Sequence, residues 1–353
     1  MADRRIARSP PAGRRGRFLT GVSPVRELSV VLVSWRDASD TLAAIRSLAD
    51  ARTRIRAGGP RASLIVVDNG GGLPRDAVLA AWPDATLVVN EANRGFGPAA
   101  NQGAEAAGGD VLLFVNPDTR AVGDPFGAIA DAFDSRPGAV AVAPRLVDEE
   151  GSSSGPRLAP PGREDQFTFQ LRRLPRLSDD ARELLLFDHL APDNRGRRRF
   201  RYADRDPEAP LEVEQAAAAA LAVRRDAFRK AGAFDERFVP AWFEDVDLCA
   251  RLAEHGTILY WPAARFRHRG GAASDRLGYP RFLPIYYENA LRYRRGRYAA
   301  AARLAYRALL ATGMALRLAA LPFRRHAPRP RGESARAYLR VLALSLGLTG
   351  GGR

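Results

Sequence analysis

The chain has 353 residues and 46% hydrophobic content, enough for one large α/β domain with an appendage and too apolar for global disorder. Its one cysteine, Cys249, excludes an internal disulfide and a thiolate metal cluster, and fits a reducing compartment. The net charge of +15 sits at the ends: residues 1–24 hold six Arg against Asp3, residues 276–353 hold sixteen Arg against Glu288 and Glu333, and the stretch between is mildly acidic. A nucleic-acid enzyme usually carries its basic face on the folded core, so no nucleic-acid partner is expected. Basic ends suit an anionic membrane surface, at roughly 1 kcal/mol per Arg near the headgroups. A GC-rich genome would equally favour Arg, and Lys230 is the only lysine.

Residues 1–24 read as a flexible basic tail with no apolar stretch of the signal-peptide kind. No run reaches about 18 uninterrupted apolar residues, so no spanning helix is expected. Residues 28–34 (LSVVLVS) form the β-branched run of a buried parallel strand. Helical spacing follows over 41–51 through Leu42, Ile45 and Leu48. The pattern then predicts strands at 63–67, 86–89 and 111–115, with helices at 77–82 and 99–107. This alternation predicts an α/β domain over residues 25–275, a mostly parallel central sheet flanked by helices with right-handed crossovers. Residues 148–212, rich in Gly, Pro, Ser and Arg, predict an irregular excursion in which GSSSGP and GRRRF are loops. The alanine run within 213–223 reads as helix by propensity. Short helices at 226–231 and 244–255 close on Gly232 and Gly256, and 258–261 is a strand. From Tyr279 the chain reads as a helical, Arg-rich C-terminal region over 276–353.

Ligands of an open parallel sheet bind outside the carboxyl ends of its strands. Asp68 and Asp118 follow such ends and point to one crevice, where an unpaired carboxylate is costly without a cation or ligand. Residues 93–103 (NRGFGPAANQG) combine three glycines, which let backbone approach a ligand, with the amides of Asn93 and Asn101. Neither the dinucleotide-binding fingerprint nor the lysine-bearing phosphate loop is present. In 242–251 (WFEDVDLCAR), Glu244 and Asp245 begin a helix, where capping is the plain structural role, and Asp247 and Arg251 have pairing i,i+4 spacing. His268 is either structural or, with Asp118, half of a divalent-cation site.

These segments together resemble glycosyltransferase family 2, of GT-A (nucleotide-diphospho-sugar transferase) fold, and its rhamnosyltransferase-like branch. The matching pieces lie in the family's order over about residues 28–275. They are VVLVSW (30–35), VVDNG (66–70), NRGFGPAANQG (93–103), NPD (116–118), VRRDAF (223–228), GAFDERF (232–238), EDVDLCARL (244–252) and HRGGAAS (268–274). The resemblance implies a strand, not a helix, around 213–223. It implies that Asp68 contacts the nucleobase or ribose, that Asn93, Gly95, Phe96, Asn101, Asn116 and Ser274 line the donor site, and that Asp118 and His268 hold Mg2+ or Mn2+. Asp245 is then the base, supported by Glu244, with Trp242 and Asp247 on the acceptor side. Three positions depart from the family pattern: Arg36 in place of Asn, Ala218 in place of Gly, and an extra residue before Glu244 that puts Trp242 in the place of a tyrosine.

The implied reaction is inverting transfer of a sugar, rhamnose from dTDP-rhamnose favoured, to a cell-envelope glycan or polyprenyl-linked acceptor. The implied location is cytoplasmic, at the inner face of the plasma membrane. Alternatives are the same mechanism with a UDP-hexose, a non-catalytic nucleotide-sugar-binding or scaffold protein, and a surface adaptor acting through the Arg tails. The apolar C-terminal stretches 286–291, 298–320 and 338–348 read either as interfacial amphipathic helices or as ordinary helices packed on the domain.

Overall fold

The computed structural model describes residues 24–148, 166–270, 277–323 and 330–348. The basic tail, GSSSGP and Ser274 lie outside the described residues. Strands β1 (Glu27–Ser34), β2 (Arg61–Asn69), β3 (Thr86–Asn90) and β4 (Val111–Val115) form a parallel block, connected through α1 (Ala38–Thr53), α2 (Arg75–Ala81) and α3 (Phe96–Ala106). Past β4 the sheet becomes mixed. β10 (Ala220–Arg224) runs antiparallel between β4 and β6 (Ala139–Asp148), and β11 (Thr257–His268) runs parallel to β6. The edge is completed by β5 (Thr119–Val122) and β8 (Leu211–Val213), both antiparallel to β11. The sheet order is β3-β2-β1-β4-β10-β6-β11-β5, with β8 on β11. β1, β2, β3, β4, β6 and β11 share one direction, so the sheet is mostly parallel, as the alternation predicts.

The apolar runs arise because the sheet is covered on both faces. Leu28, Val30 and Leu32 face one core layer with Ile45 and Leu48 of α1 and with Phe126 and Phe133 of α4 (Pro125–Ser135). Val31 and Val33 face the other layer, with Ala99 and Ala100 of α3 and with Phe114, Phe228 and Leu248. Alternate side chains thus serve different layers although every one is apolar. Gly103 lets α3 lie close on this second layer, because a Cβ there would collide with Val31 Cγ1.

Three local expectations are corrected. GRRRF is not a loop: α8 (Arg195–Phe200) forms, capped by Asn194 Oδ1 accepting from the Arg197 amide at 2.9 Å. The described part of the excursion is a run of short elements: α5 (Gln166–Gln170), β7 (Leu171–Arg172), α6 (Leu177–Leu184), α7 (Phe187–Leu190) and α8. The alanine run, helical by propensity alone, forms β9 (Gln215–Ala216) and β10 in line with the strand that the resemblance implies, and buried Ala216, Ala220 and Ala222 allow close packing on the neighbouring layers. The strand at 258–261 continues to His268 across a bulge between Trp261 and Arg265, where Pro262 falls. α9 (Arg225–Lys230) and α10 (Glu244–Leu252) follow the sequence reading closely.

The C-terminal helices α11 (Tyr279–Arg297), α12 (Ala300–Ala320) and α13 (Arg331–Leu346) pack with α6 and α10 in a third apolar cluster containing Leu184, Phe243, Phe282, Tyr287, Tyr306 and Met314. Buried arginines tie this cluster to the excursion. Arg294 Nε donates to Asp180 at 3.1 Å while its guanidinium lies 3.8 Å from the Tyr306 ring centre. Arg317 donates to the carbonyls of Leu184 (2.7 Å) and Glu183 (3.1 Å) at the end of α6. α12 with its following turn, Ala300–Phe323, is long and apolar enough to cross a membrane by length and composition, at mean hydropathy 1.3, where no such segment was expected. Core helices of soluble proteins pass the same test. Removing one partner of a buried ion pair costs about 3–5 kcal/mol. Arg294→Ala is therefore expected to lower the thermal midpoint sharply in a calorimetric scan, whereas loss of the exposed pair partner Lys230 leaves it unchanged.

Candidate active site

The parallel block delivers Asp68 to the carboxyl edge of the sheet, beside Ser34 in register. Asp68 is buried and one of its oxygens accepts from the Leu73 amide at 2.9 Å, which fixes the turn after β2. The next residue, Asn69, is a hub that sequence reasoning passed over. Its Nδ2 donates to Asn93 Oδ1 (2.9 Å) and the Gly95 carbonyl (3.1 Å), and its Oδ1 accepts from Asn90 and the Arg94 amide. Among the described residues Asn93 uses its Oδ1 in these contacts and its Nδ2 makes no hydrogen bond. Gly95 has φ of +93°, and a Cβ there would meet Val239 Cγ1 at 3.0 Å. The following amide, of Phe96, donates to Pro240 at 2.7 Å, so this loop is pinned to the segment before α10.

Two residues expected at the donor site are engaged with the chain. Asn101 spends its amide on the chain: Oδ1 accepts from Phe234 N, and Nδ2 donates to the Phe234 carbonyl and Glu236. Phe96 packs its ring edge-on to Phe234 at 5.6 Å. Both hold α3 against 234–236 instead of presenting free groups.

Asp118 and His268 do come together. β4 ends just before Asn116-Pro117-Asp118, and His268 ends β11, paired in register with Thr119. His268 Nε2 lies 3.5 Å from Asp118 Oδ1, with both side chains buried. Burial pushes the Asp118 carboxyl up, but the hydrogen bond and charge of His268, with Arg269, bring it below the usual carboxylate range. Gln166 faces the other ring nitrogen, with Oε1 3.3 Å from Nδ1 while its amide donates to Asp148 at 2.8 Å. That orientation assigns a proton to Nδ1 and leaves Nε2 as the ring atom that faces Asp118. A buried carboxylate and a buried imidazole facing each other at this distance fit a divalent cation completed by diphosphate oxygens. Among the described residues no group of three or more His, Cys, Asp or Glu gathers for a metal. The Asn116 side chain makes no hydrogen bond within the described chain.

Glu244 and Asp245 open α10 after a strained turn: Trp242 and Phe243 have φ of 75° and 73°. Asn289 of α11 clamps this turn, donating to the carbonyls of Ala241 (2.8 Å) and Trp242 (3.1 Å). Asp245 Oδ1 accepts from Val246 N at 2.8 Å and Oδ2 from Ala218 N at 3.4 Å. Burial raises both carboxyls, and the neighbouring Asp245 charge raises Glu244 well above its usual value. Glu244 Oε2 is buried without a partner. Asp245 therefore ionises first and Glu244 keeps its proton. Residues 218 and 219 join the two halves of the site, because Asn116 N donates to Ala219 O at 2.9 Å beside the Ala218 contact to Asp245.

The acceptor-side expectations are changed. Asp247 pairs with Arg251 at 2.7 Å and Arg297 at 3.5 Å, which leaves it a structural tie between α10 and α11. Trp242 stands edge-on to Phe282 at 4.7 Å. The excursion instead supplies residues that sequence reasoning missed. Phe169 stacks on His268 with centroids 6.4 Å apart, and the Arg172 guanidinium lies 5.7 Å from the Phe169 ring centre. Spacing by three from Gln166 was their only signal.

The profile of glycosyl transferase family 2 matches residues 29–203. The chain is 30% identical over 229 residues to N-acetylglucosaminyl-diphospho-decaprenol L-rhamnosyltransferase of Mycobacterium tuberculosis, in strains CDC 1551 / Oshkosh and H37Rv, covering 61% of this chain and 68% of that protein. Its fold is similar to that of mannosyltransferase PcManGT from Pyrobaculum calidifontis in complex with GDP-Man and Mn2+, with a TM-score of 0.50 and 14% identity over 92% of this chain and 88% of that one. GalNAc-T7 with UDP, GalNAc and Mn2+ superposes at a TM-score of 0.46 and 15% identity, over 75% of this chain and 48% of that one.

The raised Glu244 carboxyl makes stability depend on pH. Below the unfolded-state value of about 4.3 both states hold the proton and nothing is lost. Above it the unfolded chain releases the proton while the folded chain retains it, so the folded state loses stability as pH rises. Glu244→Gln is thus expected to match the parent in thermal midpoint near pH 4 and to exceed it increasingly between pH 5 and 8, on the pH scale set by that unfolded value. A pH-independent difference would contradict the assignment.

Proposed function

Since the chain belongs to glycosyl transferase family 2, we propose that it is a glycosyltransferase that moves one sugar from a nucleotide-diphosphate donor to an acceptor hydroxyl with inversion at the anomeric carbon. The donor is dTDP-rhamnose and the acceptor a polyprenyl-diphosphate-linked sugar, by likeness to the mycobacterial rhamnosyltransferase. The observation that carries the reading is the linkage of the Asp118–His268 pair, through residues 218 and 219, to the raised carboxyl of Asp245.

Asp68 holds the nucleobase or ribose at the β2 edge, and Asn93 and Asn116 offer free amides to the sugar nucleotide. Asp118 and His268 are the residues that would hold Mg2+ or Mn2+, and such a cation supplies positive charge against the leaving diphosphate. Asp245 takes the proton of the acceptor hydroxyl while its oxygen forms the new bond to the anomeric carbon and the bond to the diphosphate oxygen breaks. The backbone amides of Val246 and Ala218 hold that carboxylate in place. Glu244, protonated beside it, adds no second negative charge. A lipid-linked acceptor puts the enzyme at the cytoplasmic face of the plasma membrane. Exposed Leu304, Leu316 and Phe323 of the C-terminal region, beside its arginines, support contact with that surface.

Transfer assayed across dTDP-, UDP- and GDP-sugars is expected to favour dTDP-rhamnose, to stop with EDTA, and to give a product of opposite anomeric configuration to the donor by NMR. Asp245→Asn is expected to lower kcat by about 10²–10⁴-fold, the usual contribution of a general base, with donor affinity retained. A product of retained configuration, or an Asp245→Asn enzyme of full activity, would contradict the mechanism.

A further inference from the structure

Arg172 is a cation that makes no ion pair among the described residues, although its charge reaches Asp245. It ends the two-residue strand β7, where it pairs in register with Gln215 of β9, one turn of chain before the Ala218 amide that holds Asp245. Successive side chains of a strand point to opposite sides. Arg173 accordingly faces away, where it is satisfied by Glu214 at 2.8 Å and by the Arg199 carbonyl. Among the described residues no carboxylate pairs with Arg172, and its Nε is buried with no hydrogen-bond partner. Its guanidinium lies 5.7 Å from the centre of Phe169, the ring that stacks on His268.

Burial raises Asp245 and Tyr286 of α11, and the charge of Arg172 acts to lower both. Arg172 therefore belongs to the side of the cleft bounded by the base and the C-terminal helices, with Phe169 between it and the Asp118–His268 pair. An orphaned buried donor in a native fold calls for a ligand. A guanidinium fork held beside an aromatic ring is suited to paired phosphate oxygens.

We propose that Arg172 grips a phosphate or diphosphate group of the acceptor, one sugar ring away from the hydroxyl that Asp245 deprotonates. The assignment rests on the reading of the protein as a transferase to a phosphate-linked acceptor. The excursion then has a role in catalysis, since α5 and β7 carry Gln166 to the imidazole, Phe169 to the space between the two substrates, and Arg172 to the acceptor anion. The same chemistry could come from the donor's own diphosphate, so the test separates the two sources.

The test uses the full chain with Mg2+ and saturating dTDP, into which two probes are titrated calorimetrically: N-acetylglucosaminyl diphosphate bearing a decyl chain, and the neutral decyl N-acetylglucosaminide. The parent protein is expected to bind the diphosphate probe at least ten-fold more tightly. Arg172→Gln is expected to cut that preference below two-fold while dTDP affinity stays within two-fold, and Arg172→Lys to keep part of it. Arg198→Gln, at an exposed arginine of α8, serves as a control with unchanged preference. No preference in the parent, or a preference that survives Arg172→Gln, overturns the assignment. A ten-fold loss of dTDP affinity in Arg172→Gln gives the residue to the donor instead and also overturns it. Sugar transfer from dTDP-rhamnose to the diphosphate probe is read in the same samples: preferential binding without transfer sustains Arg172 as the anion grip and sinks the lipid-acceptor reading of the reaction.

Discussion

The contact between Asp118 and His268 is the constraint around which the site is organised. The two residues are separated by most of the catalytic domain in sequence, yet stand 3.5 Å apart at the edge of one sheet. Each is fixed by a different strand end, and Thr119 pairs in register with His268 so that neither can move alone. Gln166 holds the imidazole from behind, and its own amide is held by Asp148. A buried carboxylate facing a buried ring nitrogen is costly unless a cation or proton lies between them, so the fold stores a demand for positive charge that a divalent cation would meet.

The insertion of antiparallel β10 between β4 and β6 sets the second half of the site. It carries residues 218 and 219 to the carboxyl edge, where one peptide meets the NPD turn and the next meets Asp245. The NPD turn and Asp245 are thereby spaced by backbone, which bends less than side chains do. The strained turn before Glu244 is held open by Asn289, so α11 is part of the catalytic support. Buried Arg294 and Arg317 then bind the excursion to the same helices.

The parallel block was legible in the sequence because strands buried on both faces leave continuous apolar runs, as in residues 28–34. Asp68 and Asp118 were legible because each follows such a run directly. Asn101 and Asp247 show the limit of that reading. A polar side chain in a motif advertises a hydrogen bond, but its partner, Phe234 in one case and Arg251 in the other, is fixed by tertiary contact alone. Propensity alone would make the alanine run a helix, but it is weak beside the packing of small residues in a sheet, and the strand implied by the resemblance is the one that forms. Phe169 and Arg172 left almost no trace, since a two-residue strand and a five-residue helix are too short for any periodicity to emerge. None of the motifs that carry the resemblance to family 2 falls within this excursion.

The central claim is that Asp118 and His268 share a divalent cation with a nucleotide diphosphate. The most direct measurement is electron paramagnetic resonance of Mn2+ titrated into the chain with and without dTDP. The account predicts one bound Mn2+ that depends on dTDP in the parent and is lost in both Asp118→Ala and His268→Ala, with circular dichroism unchanged. Mn2+ binding that persists in the folded variants, or that ignores the nucleotide, would contradict it.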